Sequence, residues 1–279
     1  MQNPHFRGLT ILKPLIMIFN DYIHDLIRNG KCCFSIEDAI AHLKKNRRAI
    51  LSSIEHLVSK KEIVSPAKGF YVIVPPEYQI LGCLPAEYFI PYLMEYWKCD
   101  YYACLLTAAK YHEASHQAVM VFQVMITGRR PAIVCGKIKV KFITNKSLAN
   151  TPVQKIPTRM SMLIVSTPEG TAMDLLNYPQ QSGGLNHIAT VLAELYEVMN
   201  AERLLRLAEN SSVLVWQQRL GYLLEIVGAH ELAEVLKMNL SRQKRLDYIV
   251  LAPGKRVTKR SKTNITWKLI ENTKIESDI

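Results

Sequence analysis

Three groups of residues in this 279-residue chain have types and spacings that could do chemistry. The first is Ser166-Thr167-Pro168-Glu169, followed by Thr171 and Asp174. A hydroxyl and two carboxylates near a helix start could, with His112, act on a nucleotide or phosphoprotein if they converged in a concave pocket. The same letters read as a capping box, Ser166 with Glu169 three residues on and Pro168 in the first helical turn. The capping reading needs no active site, and no catalytic residue is assigned. The second group is Asn46-Arg47-Arg48 with Ser52, preceded by Lys44-Lys45 and followed at a distance by Lys68. Arg and Lys are the side chains that neutralise phosphates and reach base edges. The third is the run Lys255, Arg256, Lys259, Arg260 and Lys262. With no aromatic interleaved it suits backbone phosphates better than stacked single strands, and a solvated loop between two strands is the competing reading.

Other site chemistry is missing from the sequence. No phosphate-loop, dinucleotide, nucleophile-elbow or zincin motif occurs, and Gly183-Gly184 lacks the strand-loop-helix setting of a phosphate loop. The six cysteines form no C-x-x-C pair, so neither a zinc ribbon nor a disulfide framework is expected, and the thiols should be reduced and mostly buried. No cofactor and no metal are expected.

The second group sits where a winged helix would use it. Ile16, Phe19, Ile23, Leu26 and Ile27 share one helical face that ends at Asn29-Gly30. Ser35 with Asp38 caps a second, short helix whose stripe is Ile36, Ala39, Ile40 and Leu43. Asn46 caps a third, with stripe Ile50, Ile54, Leu57 and Val58, ending near Lys60-Lys61. Two β-rich runs, Glu62 to Ser65 and Phe70 to Val74, flank the turn Pro66 to Gly69 and make the wing. In such a unit the third helix enters the major groove N-terminus first. DNA contacts are therefore assigned to Ser35, Lys44, Lys45, Asn46, Arg47, Arg48, Ser52 and Lys68, and backbone contacts to the Lys255–Lys262 run.

Pro75-Pro76 cannot continue a ladder and marks the boundary. Beyond it, Phe89, Leu93 and Trp97 suggest one helix, and a second runs from Asp100 through Tyr101 to His112. Strands are expected at Gln117 to Thr127, at Ala132 to Thr144 with a turn at Gly136, and at Met162 to Val165. In the second of these Lys137, Lys139 and Lys141 alternate with apolar residues, giving a basic outer face. Helical stripes fill the chain to about residue 240. The expected fold class is α+β: an N-terminal winged helix-turn-helix over residues 1–75, then a larger mixed α/β domain over residues 77–279 with a small sheet and a helical C-terminal half.

Charge follows the same division. Residues 1–75 hold eleven basic and six acidic residues, residues 76–236 thirteen and fourteen, and residues 237–279 eleven and four. With 49% hydrophobic and 21% charged residues, wholesale disorder is excluded. No apolar run approaches the roughly 18–20 residues of a membrane span, and a cytoplasmic protein is expected.

With these segments in place, the chain resembles the AbiEi-type antitoxins of type IV toxin-antitoxin, or abortive infection, systems. The resemblance rests on four segments in order: Tyr101-Tyr102 with Leu105 to Ala109 and His112; Ser166 to Glu169 with Thr171 to Leu176; Gln218 to Glu225; and the tail Asn264, Trp267, Asn272, Glu276 and Asp278. It implies an N-terminal winged helix-turn-helix that represses its own operon at an inverted-repeat operator in double-stranded DNA. It also implies a C-terminal antitoxin domain marked by Ser166, Glu169, Thr171, Asp174 and Arg219. The paired toxin would resemble a nucleotidyltransferase, counteracted without a requirement for direct binding. The expected function is thus a phage-defence antitoxin and DNA-binding transcriptional repressor, not an enzyme. The alternative is a transcriptional regulator whose large domain senses a ligand or dimerises.

Overall fold

A computed structural model describes residues 5–114 and 120–276, with residues 5–16 described by backbone alone. The protein is α+β, with ten α-helices among the described residues. It packs as two units, one of Met1–Tyr101, Gly128–Ile143 and Lys155–Leu163, the other of Tyr102–Thr127, Thr144–Gln154 and Ile164–Ile279. Pro75 and Pro76 lie inside the first. No described helix is long and apolar enough to cross a membrane.

The first unit begins α1 (His5–Arg28), β1 (Cys33–Ser35), α2 (Ile36–Leu43), α3 (Arg47–Ser59), β2 (Ile63–Ala67) and β3 (Phe70–Ile73). The three strands form an antiparallel sheet ordered β1-β3-β2, so the element order is that of a winged helix. The apolar stripes meet in one core of Phe19, Tyr22, Ile23, Phe34, Ile36, Ala39, Ile50, Ile54, Leu57, Ile63, Tyr71 and Ile73. Its helices start at side-chain caps. Ser35 Oγ accepts the Asp38 N–H at 3.0 Å while the Ser35 N–H donates to Asp38 Oδ2 at 2.9 Å, and Asn46 Oδ1 accepts the Ala49 N–H at 2.8 Å. The wing turns at Gly69, whose φ of +78° suits only glycine.

Helix α4 (Ala86–Trp97) follows, and later the antiparallel hairpin of strands Ile133–Cys135 and Ile138–Thr144, turning at Gly136. The first of these strands packs against β2. All six cysteines are free thiols and five are buried, with the Cys32 and Cys33 sulfurs 3.4 Å apart.

In the second unit, the helix expected from Asp100 is instead strand Tyr101–Ala103 followed by α5 (Leu105–Tyr111). The strand is buried on both faces, so it shows no alternation, and Leu105 at φ +52° breaks the backbone before the helix. This strand lies between Phe122–Ile126 and Met162–Ser166, parallel to the latter. The start of the strand expected at Gln117 to Thr127, Gln117 to Val119, lies outside the described residues, as do the Ile16 side chain and Asp278. Helices α6 (Pro168–Asn177), α7 (Gly184–Leu195), α8 (Ala201–Glu209), α9 (Val215–Ile226) and α10 (His230–Ser241) fill most of the rest. A small sheet closes the chain, with Leu269–Glu271 between Ile249–Val250 and Lys262–Asn264.

Candidate functional site

The segments that carry the resemblance meet in two pairs. In the first pair, Tyr102 Oη lies 3.0 Å from Asp174 Oδ2 and 3.0 Å from Thr151 Oγ1, tying strand Tyr101–Ala103 to α6 and to the turn at Thr151. Asp174 is 1% exposed, and burial pushes its carboxyl up to about 7 while the Tyr102 hydrogen bond opposes the shift. Its Oδ1 has no hydrogen-bond partner among the described residues. Burial also raises the Tyr102 hydroxyl, helped by the charge of Asp174. His112 Nε2–H donates to the Ser166 carbonyl at 2.8 Å, and burial lowers the imidazole pKa, which favours the neutral ring.

Sequence spacing makes Ser166 and Glu169 a capping box; the structure corrects this. Ser166 ends the strand, and its Oγ pairs with Thr171 Oγ1 at 2.7 Å. The cap is Thr167, directly before Pro168 at the helix start, and it accepts the Gly170 N–H at 3.2 Å. Glu169 turns away to accept the Asn200 N–H at 2.8 Å, so it anchors the start of α8. Ser166, Thr171 and His112 therefore come together, Asp174 has separate partners, and Glu169 faces elsewhere.

In the second pair, Gly221 on α9 seats the fully buried Trp267, since a Cβ there would overlap Cζ3 and Cη2 of the indole. Gln218 Nε2 donates to the Trp267 carbonyl at 3.0 Å, and Trp267 Nε1 donates to Glu225 Oε2 at 2.8 Å. Asn264 Oδ1 accepts the Trp267 N–H at 3.0 Å, and Asn272 exchanges two hydrogen bonds with Ala252. Residues 101–226 match the family model described as the AbiEi antitoxin C-terminal domain.

Over these residues, somewhat under half of the chain, the protein is similar to that antitoxin domain. Among solved structures, the RV2827C protein from Mycobacterium tuberculosis shares the fold, with a TM-score of 0.62 at 17% identity over 89% of each chain. No curated protein sequence matches the chain. Trp267, Asn264 and Asn272 lie beyond the matched residues, yet Trp267 packs on the matched α9.

Two of the clefts among the described residues of the second unit are lined by residues singled out in the sequence. One, of about 490 Å³, has Glu169, Thr167 and Met173 on one wall and Arg203, Arg206 and Asn210 on the other. Glu169 is 1% exposed, and its Oε2 has no hydrogen-bond partner among the described residues. The other, of about 590 Å³, is lined by Arg219, Lys255 and the α7 start at Gly183-Gly184. Arg219 donates through Nη2 to the Val250 carbonyl at 3.0 Å, and burial lowers its pKa. Of the C-terminal run, Lys255, Arg256, Lys259, Arg260 and Lys262 are all exposed. Among the described residues no group of three His, Cys, Asp or Glu is placed to hold a metal ion. Sequence reasoning passed over Gln123, a buried residue that accepts the Leu106 N–H at 3.0 Å and donates to the Gln181 carbonyl at 2.9 Å. A lone Gln in an apolar run carries no periodic signal.

In the N-terminal head, Lys44, Lys45, Asn46, Arg47, Arg48 and Lys68 are exposed and Ser52 is half-buried. Arg47 and Arg48 open α3, and Ser52 lies one turn beyond Arg48. Arg47 Nη1 makes an ion pair with Glu37 at 3.4 Å, both groups well exposed, so the pair holds the side chain only weakly. Ser35 is different: it is buried and both donates to and accepts from Asp38, which leaves its hydroxyl engaged within the fold.

Proposed function

We propose that this protein is the antitoxin of a type IV toxin-antitoxin system and represses its own operon. Residues 1–75 read an inverted-repeat operator, and residues 77–279 counter a nucleotidyltransferase-like toxin. The observation that carries the reading is the exposed Arg47-Arg48 pair in the first turn of a capped α3, ahead of an AbiEi antitoxin domain. In the helix-turn-helix geometry those positions reach base edges, and Lys68 at the wing turn reaches a phosphate. Lys44, Lys45, Asn46 and Ser52 complete the surface. The C-terminal run from Lys255 to Lys262 adds backbone contacts.

The test pairs a promoter-shift assay with toxin co-expression. Arg47→Ala/Arg48→Ala should weaken promoter binding by about 1–3 kcal/mol per lost base contact, with melting temperature and antitoxicity unchanged. Unchanged affinity for the promoter would remove the reading head. A second reading, a regulator that senses a ligand, draws on the cleft beside Glu169. It expects no toxin rescue on co-expression.

A further inference from the structure

The hairpin after Gly128 carries charge that the reading above leaves unused. From Gly128 to Ile143 the chain has five basic residues, Arg129, Arg130, Lys137, Lys139 and Lys141, and no acidic one. All five are exposed. Along the second strand Val140 and Phe142 turn inward and Lys139 and Lys141 outward, as the two-residue period requires. Lys137, Lys139 and Lys141 have no ion-pair partner among the described residues.

Two adjacent aromatic residues at the end of α4 tie this hairpin to the wing. Tyr96 Oη donates to the Lys68 carbonyl at 3.3 Å, and its ring lies 5.6 Å from that of Phe70, so it supports the wing turn. Trp97 lies 5.6 Å from Phe142, and the Arg130 guanidinium sits 4.5 Å above the indole, so it supports the hairpin. Strand Ile133–Cys135 packs against wing strand β2. The basic strand therefore belongs to the packing unit of the head, although some sixty residues of chain separate it from the wing.

We propose that this hairpin is a second phosphate-binding strip that extends the wing along the backbone of duplex DNA. The proposal rests on the DNA-reading assignment of the head and adds a surface to it. Lys139 and Lys141 are about 7 Å apart along the strand, comparable to the axial rise of two nucleotides in one DNA strand. Flexible lysine stems suit charge neutralisation rather than base discrimination, so the strip strengthens binding without choosing sequence.

The test uses the full-length chain, its own promoter duplex and a scrambled duplex of equal length, titrated by fluorescence anisotropy across a salt series. Lys137→Gln/Lys139→Gln/Lys141→Gln should lower the slope of log K against log salt by about 2–3, at about 0.9 per lost phosphate contact. Affinity for both duplexes should fall by the same factor, leaving the preference for the promoter unchanged. Lys139→Gln alone should lower the slope by about 0.9, which keeps the test sound if the triple variant folds poorly. Lys237→Gln/Lys244→Gln/Arg245→Gln removes three charges from the other unit and should leave the slope in place.

A hairpin variant with the original slope would overturn the proposal, as would equal losses in the two triple variants. If Arg47→Ala/Arg48→Ala abolishes promoter preference while the hairpin variant keeps its slope, the head reading stands and the strip falls. An unaltered chain that binds neither duplex removes both.

Discussion

Replacing Asp174 by Asn should change how the protein's stability depends on pH. Asp174 is 1% exposed, and burial raises its carboxyl from an ordinary value near 3.8 to about 7. Between those values the unfolded chain has lost the proton and the folded chain keeps it, so folding takes up a proton. Stability from this group is therefore fully present below about pH 4, falls by about 1.4 kcal/mol per pH unit, and is gone above about pH 7. The full shift of about three units corresponds to about 4 kcal/mol. Asn cannot titrate, yet its carbonyl can still accept from Tyr102. Its amide group would sit where Oδ1 now lacks a partner among the described residues, a cost that does not vary with pH. His112, whose pKa burial lowers, adds stability as pH rises toward 6.5 in both proteins and cancels in the difference. Urea unfolding of both proteins from pH 5 to pH 8 reads the gap. It should move by about 3 kcal/mol in favour of the variant between pH 5 and pH 7, then level off. Parallel stability curves across that range would refute the neutral, buried carboxyl.

Two further substitutions test the packing that positions the sites. Gly221→Ala would drive a methyl into the Trp267 indole between α9 and the final sheet, and overpacking of this kind should cost about 3 kcal/mol in urea unfolding, with altered tryptophan fluorescence. A loss under about 0.5 kcal/mol would mean the indole moves freely. Asn46→Ala removes the α3 cap and should cost about 1 kcal/mol, read as a lower thermal midpoint of the head.

The head was legible because its signals are local. Apolar residues at helical spacing, a Ser-to-Asp capping box and an Asn cap marked α2 and α3 to within a residue or two, and Gly69 marked the wing turn, although β2 continues through Pro66 to Ala67. Strand β1 was not legible: Cys33-Phe34-Ser35 is buried throughout, so no alternation separates it from a loop. Tyr101–Ala103 misled for the same reason, a fully buried strand reading as a helix start. At Ser166 the motif letters were right and the roles were not. Spacing alone favours the Ser-to-Glu capping box, but Pro168 at the helix start gives the cap to Thr167 and frees Glu169 to reach Asn200. That last contact joins residues 31 apart in sequence, a separation that no local pattern encodes.

Charge shows the same limit and bears on function. Counted along the chain, the excess sits at the two ends, with a neutral centre. Counted by packing, the unit that holds the head carries nineteen basic and ten acidic residues, and the other unit sixteen and fourteen. The difference comes mainly from residues 128–143, which are central in sequence and contribute five cations with no anion. A chain that folds a remote basic strand onto its wing concentrates positive potential there, where phosphate attraction both strengthens binding and speeds encounter. The salt slope of the full chain should therefore exceed what Arg47, Arg48 and Lys68 alone would give. If the two were equal, the concentration of charge in that unit would serve no contact with DNA.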